Sequence, residues 1–143
     1  MTRFLLDTNI VSDSARGLRS ESLVAWLRER DDEELFVSSV TMAEIQRGIF
    51  DLPAGRKRTA LQEWFDGPLG LVVLFRGRVL PFEERAAIIW ARLMAEGRAA
   101  GRPRNAFDTL IAAIAQANNC VVVTDNEKDF FGVKTVNPLR PGR

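Results

Sequence analysis

Apolar residues fall into two kinds of pattern along this chain. Short unbroken runs, Phe4-Leu5-Leu6, Leu35-Phe36-Val37 and Cys120 to Val123, fit strands buried on both faces. Longer stretches repeat at helical spacing. Glu21 to Arg30 carries Leu23, Trp26 and Leu27; Arg56 to Phe65 carries Leu61, Trp64 and Phe65; Phe82 to Glu96 carries Ala86, Ile89, Trp90, Leu93 and Met94. Met42 to Phe50 and the small-residue stretch Asn105 to Gln116 complete the predicted helices, and Ile10 to Gly17 predicts a short helix or turn. Leu71 to Phe75, Arg78 to Leu80 and Val133 to Val136 predict further strands. Asp31-Asp32-Glu33-Glu34 predicts a solvated helix end, Gly67-Pro68 a helix stop, Asp129 to Gly132 a turn, and the Pro- and Arg-bearing tail a frayed end. Gly97 and Gly101 predict a loosened stretch carrying Arg98, Arg102 and Arg104.

Strands that alternate with helices predict an α/β fold, with a parallel sheet covered on both faces. With 143 residues, no linker and no internal repeat, residues 1–143 are expected to form a single domain.

Composition narrows the chemistry. The chain has no His, which excludes Ser-His-Asp and Cys-His nucleophilic sites and every His-ligated metal. It has no Tyr to act as nucleophile or general acid, and neither common Gly-rich phosphate loop. The single Cys, Cys120, excludes an intramolecular disulfide. A net charge of +1 argues neither for nor against nucleic acid. No apolar run approaches the ~20 residues that span a bilayer, and the N-terminus lacks a signal-peptide pattern. The expected location is the cytoplasm. What remains is carboxylate chemistry, with or without a hard cation.

Asp7 ends the first apolar run, where a carboxylate is costly to desolvate without partners. In open α/β sheets ligands sit beyond the carboxyl ends of the strands. Crossover helices run antiparallel to the strands, so Glu44 and Asp108, each in a predicted first helical turn, fall at that same edge. Asp125 and Asp129, after the third apolar run, fall there too. Mutual repulsion in such a cluster calls for a cation, and Mg²⁺ or Mn²⁺ suits oxygen donors. Each acid also has a structural explanation. Thr41-x-x-Glu44 and Asn105-x-x-Asp108 match helix-capping patterns, and Asp129 fits a turn. Gly48 shares a helix face with Glu44, leaving room for a ligand or for close helix packing.

The motifs Leu5-Leu6-Asp7-Thr8-Asn9, Ser39 to Glu44 with Gly48, Asp108 to Ala113, and Val123 to Asn126 with Asp129-Phe130 resemble, in order and spacing, those of PIN domains. Over nearly its whole length the chain is similar to VapC-type toxins of type II toxin–antitoxin pairs, in the FitB-like branch. The resemblance implies a three-layer α/β/α domain with a central, mainly parallel sheet. It implies a Mg²⁺- or Mn²⁺-dependent ribonuclease, usually dimeric, inhibited by a cognate antitoxin and acting on RNA. It maps the family's acids onto Asp7, Glu44 and Asp108, with Asn126 or Asp129 as the fourth; we take Asp129. Asp125 stands where relatives often carry Arg. Asp7 and Asp108 are the expected anchors of the ion. Thr8, Asn9, Thr124 and Asn126 are expected to orient the acids. Arg47, Arg98, Arg102 and Arg104 are the expected phosphate contacts.

Two other readings compete. An aspartate-nucleophile phosphohydrolase would want an acid two residues after Asp7, where Asn9 stands. A catalytically silent PIN-like domain would only bind an antitoxin or RNA.

Overall fold

The computed structural model describes residues 1–15, 17 and 20–139. Leu5 and Leu6 state the architecture in two residues. Successive strand residues face opposite ways, and here both faces are buried. Leu5 packs with Ile89, Leu93, Ile111 and Val122; Leu6 packs with Ile10, Leu23, Val37 and Val123. An unbroken apolar run results because helices cover both sides.

The sheet contains β1 (Arg3–Leu6), β2 (Leu35–Ser38), β3 (Val79–Leu80), β4 (Cys120–Val123) and β5 (Thr135–Val136). Their order is β3-β2-β1-β4-β5, and every pairing is parallel. One layer comprises α1 (Thr8–Ala15), α2 (Glu21–Arg28), α3 (Ser39–Phe50), α4 (Arg56–Asp66) and the single turn α5 (Leu71–Leu74). The other comprises α6 (Glu84–Ala99) and α7 (Ala106–Ala117), packed along one another. This is the expected three-layer α/β/α arrangement, with a wholly parallel sheet. The chain winds outward from β1 to β2 and β3, then returns across the sheet to β4 and β5. The order therefore reverses between β1 and β4, which makes their carboxyl ends the topological switch point.

Several local expectations change. Leu71 to Phe75 is a helical turn. Leu71 and Phe75, four apart, bury themselves together under the sheet, while Val73 and Leu74 are exposed. Tertiary burial overrides the β preference of Val72-Val73. The helix expected from Met42 starts at Ser39, because the Ser38 side chain caps it by accepting from Thr41 N–H at 3.0 Å. Gly97 does not loosen α6 but lies buried within it. The helix stops at Gly101, whose φ of +71° ends it with Arg102 N–H bonded to the Gly97 carbonyl. The acidic run at Asp31 forms a 3-10 turn over Asp32–Glu34, closed by Asp31 N–H donating to Glu34 Oε1 at 2.9 Å. Asp129 lies in a second 3-10 turn, Glu127–Phe130. The tail from Arg140 lies outside the described residues.

Candidate active site

Asp7 follows β1 and keeps the strand's pairing, its N–H donating to the Val123 carbonyl at 2.9 Å. The residue is 3% exposed, and its carboxylate is held at both oxygens. Oδ1 accepts from Thr8 N–H at 2.8 Å, and Oδ2 accepts from Thr124 Oγ1 at 2.9 Å. Thr124 lies at the end of β4, so this last bond spans the switch point. Burial raises the Asp7 pKa; the bonds from Thr124 and Thr8 counter it, while the charges of Glu44 and Asp125 add to it.

Glu44 lies beyond the first turn of α3, because Ser38 rather than Thr41 is the cap. The Thr41–Glu44 capping box is therefore absent. Glu44 Oε1 instead accepts from Thr8 Oγ1 at 2.8 Å, and Thr8 Oγ1 also lies 3.0 Å from Thr41 Oγ1. Thr41, fully buried, is bonded in turn by Ser38 Oγ at 3.2 Å. The sequence marked Thr8 but not Thr41, whose hydroxyl sits in the middle of this chain. The signal available was the clustering of hydroxyls in Ser38-Ser39-Val40-Thr41, which a capping explanation had absorbed.

Asp108 occupies the first turn of α7, with its own N–H capped by Asn105 Oδ1 at 3.0 Å. Its backbone serves the cap, while its carboxyl faces the other acids. Its pKa is pushed up to about 6, first by burial, then by the charges of Asp7, Asp129 and Glu44, and by a hydrogen bond with Asp129. Asp129 itself accepts from Asn126 Nδ2, and the backbone N–H of Asn126 donates to Thr124 Oγ1 at 3.0 Å. The fold thus brings Asp7, Glu44, Asp108 and Asp129 together at the carboxyl edge of the sheet. Asp125 is exposed beside them. Asn9 is exposed in α1 and, among the described residues, makes no side-chain hydrogen bond to the acids, unlike Thr8 beside it.

The arginines separate. Arg47 is exposed, with its Nε 3.9 Å from Asp51. Arg98 is exposed in the last turn of α6. Arg102 and Arg104 both lie against Phe131, their Cζ atoms 3.8 and 3.9 Å from the ring centroid. Arg104 is half-buried, and its Nε donates to the Leu93 carbonyl at 3.2 Å. Its guanidinium joins α6 to the loop that follows Asp129, an internal role instead of the expected exposed phosphate contact.

The donor set is all oxygen and mutually repulsive, which suits a hard divalent cation. Among the described residues, no three acid side chains stand close enough to grip one ion together.

The chain is similar to known proteins over nearly its whole length. Toxin FitB of Neisseria gonorrhoeae is 35% identical over 136 residues, 94% of this chain and 96% of the relative. VapC ribonuclease Y4jK of Sinorhizobium fredii is 33% identical over 139 residues, 96% of this chain and 98% of the relative. A solved structure of FitAB bound to a DNA fragment matches with a TM-score of 0.87 at 34% identity, covering 96% of each chain. The family model described as PIN domain matches residues 4–134. On its sheet order, its converging acids and this match over most of its length, the chain belongs to the PIN domain family.

Proposed function

We propose that this chain is an endoribonuclease toxin that depends on Mg²⁺ or Mn²⁺, works in the cytoplasm as a homodimer, and is silenced by a cognate antitoxin. The observation that carries the reading is the meeting of Asp7, Glu44, Asp108 and Asp129 at the switch point of a parallel sheet. Relatives named as a toxin and as a ribonuclease support it.

Asp7 and Asp108 would anchor the ion, directly or through water, and Glu44 and Asp129 would complete its shell or hold a second ion. A bound divalent ion supplies an acidified water and neutralises charge on the phosphate. The protein's own part is orientation. Thr124 and the Thr8 N–H fix the Asp7 carboxylate, Thr8 Oγ1 fixes Glu44, and Asn126 holds Asp129. Without an ion the crowded acids hold the Asp108 pKa up at about 6, and a bound cation would relieve that repulsion. Arg47, Arg98 and Arg102 are the proposed phosphate contacts. Arg104 leaves that group and becomes the residue that holds the Asp129 turn against α6. A largely apolar groove of about 590 Å³, bordered by Thr8, Glu44, Ile49, Lys57, Leu61 and Trp64, opens beside the acids. We assign it to the antitoxin, since a segment lying there would block the site.

The test is cleavage of total cellular RNA by the purified protein. Cleavage with Mn²⁺, abolished by EDTA and by Asp7→Asn, is the expected result. Metal-independent cleavage, or none by a folded protein, overturns the reading and favours a silent binding domain.

A further inference from the structure

A second cleft of about 450 Å³ adjoins the acids, lined by Ala43, Glu44, Arg47, Gly48, Asp51 and Phe107. Glu44 belongs to both this cleft and the acid cluster, so the cleft is continuous with the site. Phe107 stands one residue before Asp108 in the first turn of α7, and 49% of it is exposed. The exposed half of the ring lies outside the core, which α7 fills from its inner side with Ile111 and Ile114.

Gly48 lines this cleft and also the larger groove beside Thr8. Glycine in a helix interior costs stability relative to alanine. A close neighbour usually explains the cost, yet a Cβ at Gly48 would meet no atom within 4 Å. The protein's own packing therefore does not require glycine there. The bare helix surface there leaves room for an external group to approach the cleft. Arg47 stands at the rim, and its contact to Asp51 is long, 3.9 Å, with both side chains largely exposed, so it is free to meet a phosphate.

We infer that this cleft is a nucleobase subsite, in which an unpaired RNA base stacks on Phe107 over Gly48 while Arg47 meets the adjoining phosphate. Unpaired bases are recognised in this way, by stacking on aromatic side chains beside cationic groups. The inference rests on the nuclease reading and places one unpaired base of the RNA in this cleft, next to the scissile phosphate.

The experiment compares binding of a short fluorescein-labelled single-stranded RNA of mixed sequence to Asp7→Asn protein, with and without a second substitution. Phe107→Ala is expected to weaken binding about tenfold, and Phe107→Trp to retain it. Gly48→Leu is expected to weaken binding while leaving the melting temperature unchanged or raised, since it fills the cleft without an internal clash. An oligomer of the same length with abasic positions is expected to bind the Phe107 protein and its Phe107→Ala variant alike. Equal RNA affinity of the Phe107 and Phe107→Ala proteins overturns the subsite. So does conversion of a dimer to a monomer by Phe107→Ala in sedimentation, which gives the exposed ring to a second copy of the chain. If wild-type protein cleaves RNA with Mn²⁺ and Phe107→Ala leaves KM unchanged, the subsite falls and the nuclease reading stands. If wild-type protein neither binds nor cleaves RNA, both fall.

Discussion

Thr124 Oγ1 donates a hydrogen bond of 2.9 Å to Asp7 Oδ2, joining residues 117 positions apart across the point where the sheet order reverses. With Thr8 N–H on the other oxygen, it fixes a buried carboxylate in one orientation. Asp7→Asn should therefore reduce RNA cleavage to background. Its stability should remain near wild type, because removing a charge from a repulsive cluster offsets the poorer hydrogen bonding of an amide. Thr124→Val should lower Mn²⁺ affinity or cleavage rate by about 10–100-fold, as loss of an orienting partner does. Its cost in stability should be about 1 kcal/mol. Cleavage kinetics and urea unfolding on both variants check these outcomes; full activity of Asp7→Asn would remove Asp7 from the site.

Asp108 makes stability depend on pH in a direction that separates a site from a helix cap. Its folded pKa, about 6, lies above its ordinary 3.8, so the folded protein holds the proton more tightly than the unfolded chain. That stabilisation is complete below about pH 4 and is lost as pH rises through about 6. A carboxylate serving only the α7 dipole would have its pKa lowered and would show the opposite slope. The difference in melting temperature between wild type and Asp108→Asn, measured in EDTA from about pH 4 to 7.5, should therefore move against wild type as pH rises. Mn²⁺ should reverse this, with stabilisation growing through about pH 6 as the ion replaces the proton. A melting temperature unmoved by Mn²⁺ at pH 7.5 would count against the metal site.

Asp129→Asn should cost much more activity than Asp125→Asn. Asp129 is bonded by Asn126 and acts on Asp108, whereas Asp125 is exposed. Side-by-side cleavage rates decide the point. A larger loss from Asp125→Asn would reassign the fourth acid.

Arg104 and Arg98 should fail in different ways. Arg104→Met removes the guanidinium that lies on Phe131 and bonds Leu93. It should weaken Mn²⁺ binding by releasing the turn that carries Asp129, with a loss of about 1–2 kcal/mol in stability. Arg98→Ala, at an exposed position, should leave Mn²⁺ binding and stability unchanged and raise KM for RNA, more so at low salt. Mn²⁺ titrations followed by melting, and KM at two salt concentrations, check both.

Local periodicity and strand-end placement carried much of this protein. The runs at Leu5, Val37 and Val122 announced buried parallel strands, and alternation with helices announced the layers. The acids at Asp7, Glu44, Asp108 and Asp129 were legible because a parallel sheet sends every strand end and every following helix start to one edge. Readings failed where a local pattern had two physical meanings. Leu71 to Phe75 has the composition of a strand, but only the space beneath β2 made it a turn of helix. Thr41-x-x-Glu44 looks like a cap, but Ser38 reached the open N–H groups first. Arg104 looks like Arg98 on the page, and only Phe131, from a distant loop, distinguishes them. The same holds for the site itself. Residue spacing determined which acids reach the edge, whereas the order β2-β1-β4 decided that Asp7 meets Thr124 and that Asp108 feels the charges of Asp7, Asp129 and Glu44. Burial and Coulomb repulsion depend on distances in space, and only the packed sheet sets those.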